Sequence, residues 1–205
     1  MASRLLVLAS ILLCSFAGTC YGNVLFSSLK RTLHVTASPK QGQVLVAGSD
    51  KITVTWALNN TLPPGTDSSY KTIKVNLCYA PISQKDRAWR KTVDNLNKDK
   101  TCQHNIVTRP YLASNKTLQS FEMVIKRDVP TAMYFVRAYA YDSNEVEVGY
   151  GQTTDTKKGT NLFEVQAISG RHVSLDICSI CFSAFSVVSL FVFFYIEKRK
   201  LKTQK

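Results

Sequence analysis

The sequence predicts a mainly β protein: an antiparallel, immunoglobulin-like β-sandwich ectodomain with a short helical insert, followed by one transmembrane α-helix. Three observations carry that reading. Short stretches of alternating apolar and polar residues recur through residues 23–172, with turn residues and no repeated helical pattern between them. Two strongly apolar stretches stand at the ends of the chain. Cys78 and Cys102, the two cysteines of the polar middle, enclose a dense mixture of charges.

The ends come first, because they set the topology. MASRLLVLASILLCSFAGTCYG has one Arg, an apolar run from Leu5 to Phe16, and then small residues. An apolar run of about 12 residues suits a secretory signal and is too short to span a bilayer. Residues 1–22 are therefore expected to be a signal peptide, cleaved after Gly22 to leave Asn23 first, with a buried N-terminal helix as the alternative. Ile177 to Ile196 has no charge over twenty residues. At 1.5 Å per residue such a helix covers about 30 Å, the thickness of the hydrocarbon core. Residues 173–197 are expected to form the transmembrane helix, and 198–205 a basic cytosolic tail. Lys198, Arg199, Lys200, Lys202 and Lys205 should be retained on the cytosolic side. The expected product is a single-pass membrane protein, N-terminus outside, reached through the secretory pathway. Cys178 and Cys181 lie in the apolar run, where a packing role is the simpler reading than zinc or redox chemistry.

Within residues 23–172, Leu33–Ala37 and Val44–Ala47 are short strand signals flanking Pro39 and Gly42. Lys51–Leu58 alternates, with Ile52, Val54, Trp56 and Leu58 on one face. Tyr70–Tyr79 alternates again and turns Ile73, Val75 and Leu77 inward. Ile106–Val107 and Thr117–Ile125 follow, then Met133–Tyr141, Glu145–Tyr150 and Asn161–Ala167. Val129-Pro130-Thr131 leading to Tyr134 has the form of a tyrosine corner. A partly open barrel fits the same strand pattern. Asn59-Asn60-Thr61 and Asn115-Lys116-Thr117 are acceptor sequons, so glycosylation is expected at Asn59 and Asn115.

In an oxidising compartment Cys78 and Cys102 are expected to pair, with free thiols or an intermolecular bond as alternatives. The bond closes a loop worth about 3 kcal/mol on the chain-entropy model. Ser83–Lys98 is expected to be a short helix opened by Ser83 and Asp86. Trp89, Val93 and Leu96 recur at i, i+4 and i+7, which would clamp that helix to the sandwich and leave Arg87, Arg90, Lys91 and Asp94 outward. A solvated face without a partner is the competing reading.

Twenty-six basic residues against fourteen acidic ones give a net charge of +12. Residues 23–172, expected outside the cell, hold 20 basic and 12 acidic residues, net +8, and that charge favours acidic polymers, anionic lipid or an acidic protein surface over nucleic acid. Three histidines far apart, and no phosphate loop, nucleophile elbow or HExxH, leave little to build a catalyst from, and no metal or cofactor is expected.

CYAPISQKDRAWRKTVDNLNKDKTC, PTAMYFVRAYAYD and TNLFEVQAISGRHVSLDICSICFSAFSVVSLFVFFYIEKRK closely resemble plant high-affinity nitrate transporter accessory (activating) proteins. The resemblance covers essentially the whole mature chain. It implies the small subunit of a two-component nitrate uptake system, associated with a polytopic carrier of the major facilitator type. That carrier needs the small subunit to reach, persist at and work in the plasma membrane, and the small subunit does not form the transport path. Two contact surfaces are expected. The insert offers Arg87, Arg90, Lys91 and Asp99 as polar contacts, with Trp89 as the anchor of its helix. The span offers Ser179, Ser183 and Ser186 as a small-residue stripe, unless they bond back to their own helix and face lipid. The alternative function is a membrane-anchored binding module for a cell-wall or soluble ligand.

Overall fold

The alternating stretches fold as β-strands arranged in two sheets. In chain order they are β1 (Lys30–Arg31), β2 (Leu33–Ala37), β3 (Val44–Val46), β4 (Lys51–Leu58), β5 (Thr72–Tyr79), β6 (His104–Pro110), β7 (Gln119–Val124), β8 (Ala132–Tyr141), β9 (Glu147–Gln152) and β10 (Phe163–Gln166). Helix α1 runs Val173–Thr203. The computed structural model describes residues 24–112 and 118–203. The expected signal peptide and the Asn115 sequon therefore lie outside the described residues.

The smaller sheet has the order β2-β4-β7, antiparallel throughout, with Val35 opposite Trp56 and Val54 opposite Phe121. Its alternation behaves as the sequence requires: Ile52, Val54 and Trp56 are buried. The larger sheet is built around β8. β5 pairs along one side of it, from Thr72 opposite Tyr141 to Tyr79 opposite Tyr134, and β6 lies outside β5. The other side of β8 is shared, by β10 at Ala132–Tyr134 and by β9 at Arg137–Tyr141. Two short pairs, β1 with β9 and β3 with β10, are parallel, in sheets otherwise antiparallel. Both arise where the chain changes sheets. β1 belongs to the larger sheet and β2 to the smaller, while β3 and β4 repeat the exchange after Gly48.

The core lies between the sheets. Leu33, Val54 and Trp56 from one pack with Ile73, Val75, Val136 and Ala138 from the other. Each large apolar side chain so buried stabilises the fold by about 1.5–3 kcal/mol. The first sheet change sets a tight spacing: Thr32 N–H donates to the Tyr150 carbonyl at 2.9 Å, and Tyr70 O–H to Thr32 Oγ1 at 2.7 Å. A Cβ at Gly151 would collide with the Leu33 carbonyl, so β9 carries glycine where β2 crosses it. The tyrosine corner forms, with buried Tyr134 donating its hydroxyl to the Pro130 carbonyl at 2.7 Å.

The outer face of the larger sheet is also covered. Cys78 and Cys102 are disulfide-bonded, and Cys78, Ala80 and Phe135 form a second small core with Met133 and Leu162. The bond fixes the 78–102 insert to this face and is not the inter-sheet bridge of antibody domains.

One compact unit ends at Ala167 and a second begins at Ile168. In the second, α1 carries the apolar run, and its stretch Val173–Lys200 is long and apolar enough to cross a membrane. Asp176 lies in its first turn, where a carboxylate complements the helix dipole, and pairs with Arg171 at 2.8 Å.

Candidate partner-binding surfaces

The insert is not the continuous helix that its spacing suggests. It has two 3-10 turns, Pro81–Ser83 and Ala88–Arg90, and is extended or turned elsewhere. The reasons are local. The Ser83 hydroxyl, expected to cap a helix, instead accepts from Met133 N–H of β8 at 2.8 Å. Asp86 adopts φ 58, a left-handed conformation that interrupts a helix. Gln84 ties the segment together, donating to the Tyr79 carbonyl and accepting from the Thr92 amide and hydroxyl. Thr92, Val93, Asp94, Asn95 and Asn97 are moreover poor helix formers.

Without the helix, the two faces exchange roles. Trp89, expected to be the inward anchor, is 59% exposed, and Arg90, expected outward, is 7% exposed. The Arg90 guanidinium lies 4.4 Å from the Tyr79 ring centroid, a cation–π contact, and donates to the Ser83 carbonyl. Asp99 also turns inward: one carboxylate oxygen accepts from the Val93 and Thr101 amides and from the Thr101 hydroxyl. Asp99 and Arg90 hold the insert in shape. Lys85, Arg87, Trp89 and Lys91 remain exposed, and Lys85, Arg87 and Lys91 bank one open groove in which Asp86 is the one acidic residue, leaving cations in excess. Among the described residues none of these three cations has an ion-pair partner.

A segment that the sequence reading did not single out braces the insert. Val24–Ser28 lies along residues 94–96: Leu96 N–H donates to the Val24 carbonyl, and Phe26 N–H to the Asp94 carbonyl at 2.7 Å. The Asp94 carboxylate accepts from the Ser27 amide and hydroxyl, both at 2.9 Å. Phe26 reaches over the sheet to Arg137, whose guanidinium is 4.3 Å from its ring. Arg137 is 1% exposed, and its guanidinium donates to Gln152 Oε1 and the Tyr139 hydroxyl. The aromatic rings and neutral acceptors around it offset the cost of burying a cation that has no ion-pair partner among the described residues. The signal was present in MYFVRAYAY, where outward parity puts Arg137 between Phe135 and Tyr139, too apolar a face to be left in water.

Beneath the insert, the Tyr79 hydroxyl and His104 Nε2 are 2.9 Å apart, and Tyr79 also packs on Tyr134. Burial pushes the His104 pKa below the ordinary histidine value; Asp128 opposes the shift, while Arg90 and Lys126 add to it. The neutral imidazole is therefore the form that the folded insert favours.

On α1, Ser179, Ser183 and Ser186 are exposed, and Ser179 and Ser183 line a shallow groove with Ala184 and Val187. Ser189 bonds back to the Phe185 carbonyl at 2.8 Å, but the three stripe serines make no such bond among the described residues. Asn59 accepts from the Thr61 amide and hydroxyl in a surface turn. Among the described residues no cluster of three or more His, Cys, Asp and Glu is placed to hold a metal.

Residues 26–170 match the family described as high-affinity nitrate transporter accessory, Ig-like domain. The chain is 53% identical over 212 residues to High-affinity nitrate transporter 3.1 of Arabidopsis thaliana, covering 100% of this chain and 99% of that one. It is 50% identical over 210 residues to High-affinity nitrate transporter 3.2 of the same plant, covering 100% and 99%. With High-affinity nitrate transporter-activating protein 2.1 of Oryza sativa subsp. japonica it shares 47% over 177 residues, covering 86% and 82%.

Proposed function

The chain belongs to the high-affinity nitrate transporter accessory family, and from that premise we propose that it is the non-catalytic small subunit of a nitrate uptake system. In this reading it binds a polytopic carrier of the major facilitator type as a hetero-oligomer. It enables that carrier's plasma-membrane targeting, stability and uptake activity. The supporting observation is the cationic groove with Trp89 beside it: Lys85, Arg87 and Lys91 have no ion-pair partner among the described residues, on a loop stapled by Cys78–Cys102 and braced by Val24–Ser28. A preorganised surface loses little entropy on docking, and Arg and Trp are favoured contact residues.

Arg87, Trp89 and Lys91 make the ectodomain contact, while Arg90 and Asp99 act on it indirectly, by shaping the loop. Ser179, Ser183 and Ser186 let a carrier helix approach α1 closely in lipid. The topology belongs to the same reading: a signal peptide removed after Gly22, residues 23–172 outside, glycans on Asn59 and Asn115, and residues 198–205 in the cytosol. The direct test is co-purification of the full chain with a high-affinity nitrate carrier from a shared membrane. Arg87→Glu with Lys91→Glu should cut recovery at least severalfold while the chain stays folded and disulfide-bonded. Full recovery with both charges reversed contradicts the assignment of this surface.

A further inference from the structure

Past Ile196, where the apolar run ends, α1 continues as helix to Thr203. The sequence from Lys198 to Lys205 holds five basic residues and no acidic one. The opposite end of the helix has no such excess, since Arg171 and Asp176 pair there at 2.8 Å. Cationic charge is thus concentrated at one end of the span.

Helical geometry keeps that charge near the membrane. Six residues from Lys198 to Thr203 advance about 9 Å along the axis. That is about one Debye length at physiological ionic strength, so each cation senses an anionic surface at the boundary. Tyr195, one residue before the end of the apolar run, has the amphipathic ring that settles at headgroup depth. The Arg199 guanidinium lies 4.9 Å from that ring centroid, held back towards the boundary. Ammonium and guanidinium groups at this depth meet headgroup phosphates and carboxylates with charge-assisted hydrogen bonds.

We propose that the basic end of α1, with Lys198, Arg199 and Lys200, forms a binding site for anionic phospholipid headgroups, the sequence supplying the further charge of Lys202 and Lys205. The site concentrates such lipid around the span and gives the chain a preference for anionic leaflets. It requires that α1 cross the bilayer, but not that the chain bind a carrier, so the two proposals fail independently.

The test uses the full chain reconstituted in phosphatidylcholine vesicles that carry spin-labelled phosphatidylserine or spin-labelled phosphatidylcholine as the probe. Electron spin resonance then reads the fraction of each held motionally restricted at the protein. The same lipid in both leaflets makes the result independent of orientation. The expected result is a severalfold preference for phosphatidylserine at low salt, reduced by high salt. It should vanish in K198Q/R199Q/K200Q/K202Q/K205Q and survive when the four lysines are changed to arginine. Equal restriction of the two lipids by the unmodified chain overturns the proposal, as does a preference that persists in the glutamine variant. Loss of preference in the arginine variant overturns it too, because charge would then not be the cause.

Discussion

Trp89 and Arg90 are neighbours with opposite fates, and the difference has consequences for substitution. Arg90 packs on Tyr79 beneath the insert, so Arg90→Ala should loosen the loop and cost about 1–3 kcal/mol of stability, read by thermal unfolding. Trp89→Ala should leave the unfolding midpoint nearly unchanged, since the ring is largely in solvent, and weaken only carrier association. His104 gives the fold a dependence on pH of definite sign. Its folded pKa is depressed, so the unfolded chain, with an ordinary value near 6.5, takes up the proton more readily. The contribution is fully present above 6.5 and is lost as pH falls from there through the folded value, with no further loss below it. Denaturant titrations of the disulfide-intact chain should show stability falling over that window, and His104→Gln should flatten it. An unchanged slope in the variant would assign the dependence to another group.

At the scale of elements, two devices hold the insert, and they can be separated. Reducing Cys78–Cys102, or changing both to Ser, removes a cross-link worth about 3 kcal/mol. Asp94→Ala removes the carboxylate that accepts from Ser27, at a cost of about 1.5–3 kcal/mol for bonds to a charged group. Hydrogen exchange should rise in residues 24–28 and 94–96 of the Asp94 variant while β4, β5 and β8 stay protected. Rigidity of the sheet change is tested by Gly151→Ala, whose methyl group meets the Leu33 carbonyl. It should destabilise by about 1–3 kcal/mol or more, because backbone rather than a flexible side chain must yield.

For the molecule as a whole, the strands with a long alternating face were legible in the sequence. β4 occupies Lys51–Leu58 as the alternation requires, and the corner at Pro130 and Tyr134 forms. β1, with two residues, was not legible, because so short a strand has no period and exists through its pairing with β9. The insert misled for a related reason. Trp89, Val93 and Leu96 fit a helical face, but three positions are weak evidence against Gln84, Asp99 and a disulfide that each impose another path. The Val24–Ser28 brace was hidden because its partners Asp94 and Leu96 lie far along the sequence, and the Phe26–Arg137 contact because its residues lie more than a hundred apart, both beyond the reach of local pattern. The resemblance reached the family directly, through strings that no periodicity argument interprets.

The central claim, that the chain serves a carrier rather than carrying nitrate itself, comes down to nitrate influx in a heterologous cell expressing a high-affinity carrier, this chain, or both. Surface carrier is counted in parallel. The account predicts high-affinity influx with both and little with either alone, with the gain lost in Arg87→Glu/Lys91→Glu. Equal influx from the carrier with and without this chain, at equal surface carrier, would contradict it.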